Sequence, residues 1–373
     1  MPNRIRVGIV GASTARGWAA AAHVPALARL DEYQLVAVAT TREASARAAA
    51  EAFGARHAFT GAAALANHPD VDLVVVSVKA PDHAPAVRAA IEAGKQVLVE
   101  WPLTVTAGEA AELAAAAEAA RLRHAVVLQV YASPGARFVR DLVREGRIGE
   151  LAAVAFTGGG DPLGGSRIYR DLAWGTAAGT GNDILTIMVG HALAAVEVVT
   201  GAALTEVSAV TARHHDRVGI VGSGESVANG VDGQVVVAGL LDGGAVASLC
   251  LLGGNAAAPD GFQLRLTGTE GTLTVTPADP GHYSNWATWR VRLAPAGGEP
   301  HELAIPERYR LAPAGLPDGP VASIASLYRL LGAGSAELAT FHTAARSQRT
   351  LEAITRAAAT GTRQRLTTAA VHT

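Results

Sequence analysis

Four short stretches carry residue types that chemistry uses. "VVVSVK" ends in Lys79, and "KQVLVEWPL" ends a valine-rich run on Glu100, Trp101 and Pro102. "GIVGASTARGW" is a glycine-rich turn, and "NDILTIMVGH" holds Asp183 and His191. An amine at a strand end can exchange a proton with a substrate hydroxyl when partial burial lowers its pKa. The alternative for Lys79 is that it caps the strand or contacts a phosphate. The glycine turn suggests a dinucleotide, because such turns let backbone approach a pyrophosphate at a helix start. Gly8 and Gly11 are in place, Ser13 stands at the second fingerprint glycine, and Gly17 comes one residue late for the third. Ala12, Ser13, Thr14, Arg16 and Trp18 complete the candidate cradle. A glycine-rich turn with no ligand would look similar.

The elements that position these stretches alternate. "RIRVGIVGA", "YQLVAVATT", "VDLVVVSVK", "KQVLVE" and "HAVVLQVY" read as strands. Ala-rich helical stretches separate them, one stopped by Gly54 and another by Gly94. Strand and helix alternating at this length predict βαβ units and a parallel sheet. Beyond about residue 150, "LTEVSAVTARHH", "VDGQVVVAGLLDGGAVASLCLLGG", "FQLRLTGTEGTLTVTP" and "WATWRVRLAP" follow one another with turn signals between them. The expected fold class is α/β, with a Rossmann domain over 1–130 and an α+β domain with a mostly antiparallel open sheet over 131–373. The last helices are candidates to pack back on the first domain.

The end of the second strand discriminates between nucleotides. NAD sites put Asp or Glu there for the ribose 2′-hydroxyl, whereas NADP sites offer Arg to the 2′-phosphate. Here Thr40, Thr41 and Arg42 precede the first acid, Glu43. Hydroxyls and a guanidinium suit a phosphate, so NADP is expected ahead of NAD. The other reading is that Arg42 and Glu43 only begin the next helix.

Composition excludes other classes. A formal net charge of -2 gives no electrostatic support for nucleic acid. No run of about 18–20 apolar residues is present, so no membrane span is expected. The chain opens on no signal peptide, and the single cysteine, Cys250, fits a reducing compartment, so a cytoplasmic location is expected. "RHH" at 213–215 lacks a third ligand at a convincing spacing, and no metal is expected.

The span "VVVSVKAPDHAPAVRAAIEAGKQVLVEWPL" resembles the Gfo/Idh/MocA oxidoreductase family, as does "FQLRLTGTEGTLTV". "GASTARGWAAAAHVPAL", Glu-Trp-Pro in place of Glu-Lys-Pro, and "GTGNDILTIMVGH" are similar to its Gal80-like branch. That branch includes a fungal transcriptional regulator that binds a nicotinamide nucleotide and a protein partner. The resemblance implies an NADP- or NAD-dependent enzyme acting on a sugar, polyol or related small hydroxyl compound. It also implies a homodimer or homotetramer. The alternative is a nucleotide-binding sensor that has lost its chemistry.

The resemblance also assigns roles. Trp101 replaces the family's proton-handling lysine and cannot exchange a proton at neutral pH. Glu100, Trp101 and Pro102 are then expected against the nicotinamide ribose. His191 matches the family histidine, yet Ile187 stands where its acidic partner falls. Chemistry would move to Lys79 and His191, although a lone histidine in so apolar a stretch is often a core residue. Asp183 either touches substrate or caps the helix. His83 matches a family histidine near the cofactor, and Tyr131 lies where relatives carry substrate-facing arginines. Tyr169, Asp171 and Trp174 could line a carbohydrate-like site or a surface loop.

Overall fold

The computed structural model describes residues 4–14, 17–160, 163–254 and 261–366. Strands β1 (Ile5–Val10), β2 (Tyr33–Thr40), β3 (His57–Thr60), β4 (Leu73–Val76), β5 (Gln96–Glu100) and β6 (His124–Val127) open the chain. Between them run α1 (Val24–Leu27), α2 (Glu43–Phe53), α3 (Ala62–Ala66), α4 (His83–Glu92) and α5 (Ala107–Ala119). Next come α6 (Pro134–Arg144), β7 (Leu151–Gly160), β8 (Arg167–Ile168), α7 (Gly190–Thr200), β9 (Leu204–Ala212), β10 (Arg217–Ile220) and β11 (Ser226–Ala228). They are followed by β12 (Gln234–Leu241), β13 (Val246–Gly253), β14 (Phe262–Gly268), β15 (Gly271–Pro277), β16 (Trp289–Pro295) and β17 (His301–Leu303). Helices α8 (Pro320–Gly332) and α9 (Phe341–Thr360) and strand β18 (Gln364–Arg365) close it.

The chain divides into two compact units. One takes residues 1–132 and 310–346, and the other takes 133–309 and 347–373. In the first unit the sheet order is β3-β2-β1-β4-β5-β6, with every pair parallel. This is the order of dinucleotide-binding sheets, whose crevice opens where the order reverses, here between β1 and β4. Val7, Ile9, Leu73, Val75, Leu98 and Val127 are all at most 1% exposed and share a core with Ile324, Leu327 and Tyr328 of α8. The opposite face buries Val74, Val76, Val97 and Val99. Both faces are covered, which is why these strands read as unbroken apolar runs. Gly54, at φ 70°, ends α2 in the left-handed conformation that glycine adopts without a Cβ penalty.

The second unit holds a nine-stranded sheet in the order β17-β16-β15-β14-β7-β13-β12-β9-β18. All its pairs are antiparallel except β7 with β13. Burial alternates along β13, with Ala247, Leu249 and Leu251 inside and Val246 and Ser248 exposed. That period of two marks a sheet with one covered face. A small sheet, β11-β10-β8, lies beside it in sequence and has its own apolar cluster of Ile168, Val218 and Ile220. Among the described residues, no helix is long and apolar enough to cross a membrane.

Candidate nucleotide-binding site

Parallel strands place their carboxyl ends along one edge, and five candidate segments meet there. The turn after β1 forms its centre. Gly11 has φ +95°, and a Cβ built on it would lie 2.1 Å from the Ser77 carbonyl oxygen. The position therefore admits only glycine, and it brings the turn against the chain leaving β4. Gly11 N–H donates to Ala39 O at 2.9 Å, and Ser13 N–H donates to Gly11 O at 2.9 Å. A Cβ on Gly8 would lie 2.6 Å from Leu65 Cδ2. Ala12 is buried, while Thr14 and Gly17 are exposed and Trp18 is half-buried. Arg16 lies outside the described residues. This is a cradle that a side chain would fill, so the residues fit a dinucleotide whose pyrophosphate approaches backbone.

At the end of β2, Thr40 is half-buried and Thr41 and Arg42 are exposed. Thr40 Oγ1 donates to Arg42 O at 3.0 Å, and Ser45 Oγ donates to the same carbonyl at 2.8 Å. Two hydroxyls thus fix the backbone of Arg42, which immediately precedes α2.

Beyond β4, Lys79 is exposed, and its carbonyl accepts from Asp82 N–H at 2.8 Å as the chain turns into α4. His83, 1% exposed, bridges two strand ends. Its Nδ1 lies 2.7 Å from Pro102 O and its Nε2 lies 3.1 Å from Val78 O. Burial pushes its pKa down, against the pull of both carbonyls. A neutral imidazole donates to only one of them, and the shorter contact, to Pro102 O, is the better hydrogen bond. The Trp101–Pro102 peptide, which precedes that carbonyl, is cis.

Glu100 ends β5 inside a buried relay. Its Oε1 is 2.6 Å from His23 Nε2, and His23 Nδ1 is 2.9 Å from Tyr328 Oη. Tyr33 Oη donates to Tyr328 O at 2.6 Å. His23 and Tyr328 are 0% exposed, and Trp101 is 6% exposed. The relay fixes one carboxylate oxygen of Glu100, whose side chain remains 18% exposed at the strand end. His23 and Tyr328 were not visible as site residues in the sequence. They stand 77 and 228 positions from Glu100, so no local spacing joins them. Tyr131, half-buried after β6, completes this edge.

The remaining candidates belong to the second unit. Tyr169 is 41% exposed, Asp171 is exposed and Trp174 half-buried, all at or within a 3-10 segment, Arg170–Thr176. Asp183 caps a π-helical segment, Ile184–Val189, that runs into α7. Its Oδ1 accepts from Thr186 N–H at 2.8 Å, and Oδ2 accepts from Thr186 Oγ1 at 3.2 Å. Burial raises its pKa. Asp183 shares a cavity of about 20 Å³ with Asn182, Thr176 and Gly164, room for about one water. His191 is 6% exposed, and burial alone takes its pKa down to about 3. Asn285 Nδ2 donates to its Nε2 at 3.4 Å, and Nδ1 has no hydrogen-bond partner among the described residues. At 213–215, the His215 carbonyl accepts from Asn229 Nδ2 at 2.8 Å and Arg213 pairs with Asp216 at 3.4 Å.

A parallel sheet in dinucleotide-binding order, with a glycine-only turn at its switch point, defines a Rossmann-type nucleotide-binding protein. Residues 5–128 match the family model described as "Oxidoreductase family, NAD-binding Rossmann fold", and residues 134–277 match that described as "Gal80p, C-terminal domain". The two matches together place residues 5–277 with the Gfo/Idh/MocA oxidoreductase family, the second of them with its Gal80-like branch. It is 29% identical over 216 residues to the galactose/lactose metabolism regulatory protein GAL80 of Kluyveromyces lactis, covering 55% of this chain and 47% of that protein. It is 37% identical over 181 residues to a dTDP-3,4-didehydro-2,6-dideoxy-alpha-D-glucose 3-reductase of Streptomyces antibioticus, covering 47% of this chain and 53% of that enzyme. The chain thus spans about half the length of these relatives. A levoglucosan dehydrogenase solved with NADH and levoglucosan shares the fold, with a TM-score of 0.82 and 18% identity over 98% of this chain and 100% of that one.

Proposed function

We propose that the protein is an NADP-dependent oxidoreductase acting on a hydroxyl or carbonyl group of a carbohydrate-like small molecule, with NAD as the weaker cofactor. The observation that carries this reading is the exposed Lys79 on the same strand-end edge as the Gly11 turn and Glu100. The Gly11 turn would take the pyrophosphate, and Thr40, Thr41 and Arg42 the 2′-phosphate. Glu100, oriented by His23, would accept from ribose hydroxyls, and Trp101 would wall the pocket. A bound nicotinamide supplies hydride chemistry. Lys79 would then exchange a proton with the substrate oxygen once bound nucleotide and substrate cover the amine, since only a desolvated lysine can take that proton at neutral pH. His191 serves in this reading as a neutral hydrogen-bonding group, because a pKa of about 3 makes it a poor acid at neutral pH. The reductase and dehydrogenase relatives support a sugar-like substrate.

A second reading, a nucleotide-binding regulator without turnover, is favoured by one pair of observations: tryptophan at position 101 and the burial of His191. The GAL80 relative supports it. For either reading we propose a cytoplasmic homodimer or homotetramer. Val210 and Val236 are directly paired across β9 and β12 and are 70% and 44% exposed, with the half-buried Cys250 next in register. That apolar row suits self-association.

The test is titration calorimetry with NADPH, NADP, NADH and NAD on wild type, Lys79→Ala and Trp101→Ala, followed by a sugar and polyol turnover screen. Nucleotide binding retained in Lys79→Ala with turnover reduced at least about 100-fold is expected. Binding without turnover of any compound by wild type would move the conclusion to the regulator. Failure to bind any of the four would sink both.

A further inference from the structure

Away from the strand-end edge, the first unit gathers a second set of chemical groups. His57 opens β3, the edge strand of the parallel sheet, and His68 and Asp70 lie in the loop between α3 and β4. Three donor atoms, one from each, lie within 4.8 Å of one another. His57 Nε2 is 3.0 Å from Asp70 Oδ2, and the two imidazole centroids are 4.1 Å apart. His68 Nδ1 accepts from Asp70 N–H at 3.2 Å. The side chains of His57 and Asp70 are 29% and 40% exposed, so solvent reaches the cluster.

We infer that this cluster binds a divalent transition-metal ion, Zn²⁺ in preference to Mg²⁺ or Ca²⁺. Two imidazoles and one carboxylate form the donor set that zinc takes when a fourth position is left to water. Mg²⁺ and Ca²⁺ prefer all-oxygen ligands. One histidine bonds the carboxylate, and the second packs against the first with a ring nitrogen within 4.8 Å of both other donor atoms, where a simple ion pair needs only one ring. The other oxygen, Asp70 Oδ1, accepts from Arg6 Nη1 at 3.1 Å. Arg6 is matched separately by Asp72, at 2.8 and 2.9 Å, so Asp70 is not its only counter-charge. A hydrogen bond of this kind orients a ligating carboxylate from behind. The loop is fixed as well, since Lys95 Nζ donates to His68 O at 3.2 Å and Val71 O at 2.7 Å. Donor atoms around a tetrahedral zinc lie about 3.3 Å apart. The widest spacing must therefore close by at most about 1.5 Å, which rotation of the two half-buried rings can supply. The bound ion would replace the proton between His57 and Asp70 and tie the edge strand to the loop before β4.

This inference is independent of the nucleotide site. The experiment is calorimetric titration of ZnCl₂ into the full chain after dialysis against EDTA, with MgCl₂ as a parallel probe and circular dichroism as a check of folding. One Zn²⁺ per chain is expected, weakened at least tenfold in His57→Ala and in His68→Ala. His57→Gln, which keeps the bulk of the ring, should lose as much. His215→Ala should bind as wild type does. No zinc binding by wild type, affinity unchanged in both histidine variants, or loss only in His215→Ala would each overturn the assignment.

Discussion

Two buried histidines, one in each unit, show opposite ways of hiding a polar ring. His23 has both nitrogens engaged, by Glu100 and Tyr328, and stands in the middle of a relay. His191 has one long contact from Asn285 and a bare Nδ1, and burial alone sets its titration. A satisfied polar network fixes its members in place, whereas a half-satisfied one costs stability and is retained for some other reason. By this measure the relay in the first unit is built to aim Glu100. The ring in the second is held neutral in an apolar setting.

The contrast has consequences that can be measured. The largest effect is expected for His23→Ala, which leaves the Tyr328 hydroxyl without its partner in a fully buried place and opens a cavity. A loss of about 2–4 kcal/mol in urea denaturation is expected, and a loss below about 1 kcal/mol would mean that the relay does not stabilise the fold.

Acid comes next. The folded pKa of His191 is about 3 against an ordinary 6.5, so the unfolded chain takes up the proton first as pH falls. Its contribution is complete above pH 6.5 and is lost progressively toward pH 3. Between pH 6.5 and 5 this amounts to about 2 kcal/mol. Comparing wild type with His191→Leu cancels the other titrating groups, including Asp183, whose shift has the opposite sign. The variant's stability should therefore fall by about 2 kcal/mol less over that interval. Identical pH dependence in the two proteins would show that His191 is not shielded as described.

The smallest effect is at the helix entry. Asp183→Ala should cost about 1 kcal/mol, while Asp183→Asn, which also caps well, should cost a few tenths. Thermal unfolding separates the two. A loss of turnover in Asp183→Asn without a change in stability would give this carboxylate a substrate role beyond capping.

The alternation of strand and helix in the first unit was legible because strands buried on both faces are written as continuous valine and leucine. Its edge strand β3, "HAFT", has only four residues and leaves no such run. In the second unit β7, "LAAVAFTGGG", is too rich in alanine and glycine to read as a strand, yet it pairs with both β13 and β14. The strand-end positions of Gly11, Lys79 and Glu100 followed from local pattern. The relay did not, because Tyr328 reaches His23 across 305 positions. His57, His68 and Asp70 escaped for a related reason. Their spacing spans a strand, a helix and a loop, and matches no familiar ligand motif.

The placement of α8 bears on how the chain is made. Ile324, Leu327 and Tyr328 cover the face that presents Ile9, Val75 and Leu98, but they belong to residues 310–346. On the ribosome, the first sheet is synthesised and then waits, with that face covered only in part by Ala22, Ala26 and Leu27, while the whole of 133–309 emerges. At roughly 5–20 residues per second the wait is on the order of ten seconds or longer. During it the nascent sheet is a sticky surface, open to chaperones and to neighbouring chains. A fragment ending at residue 132 would remain in that state permanently.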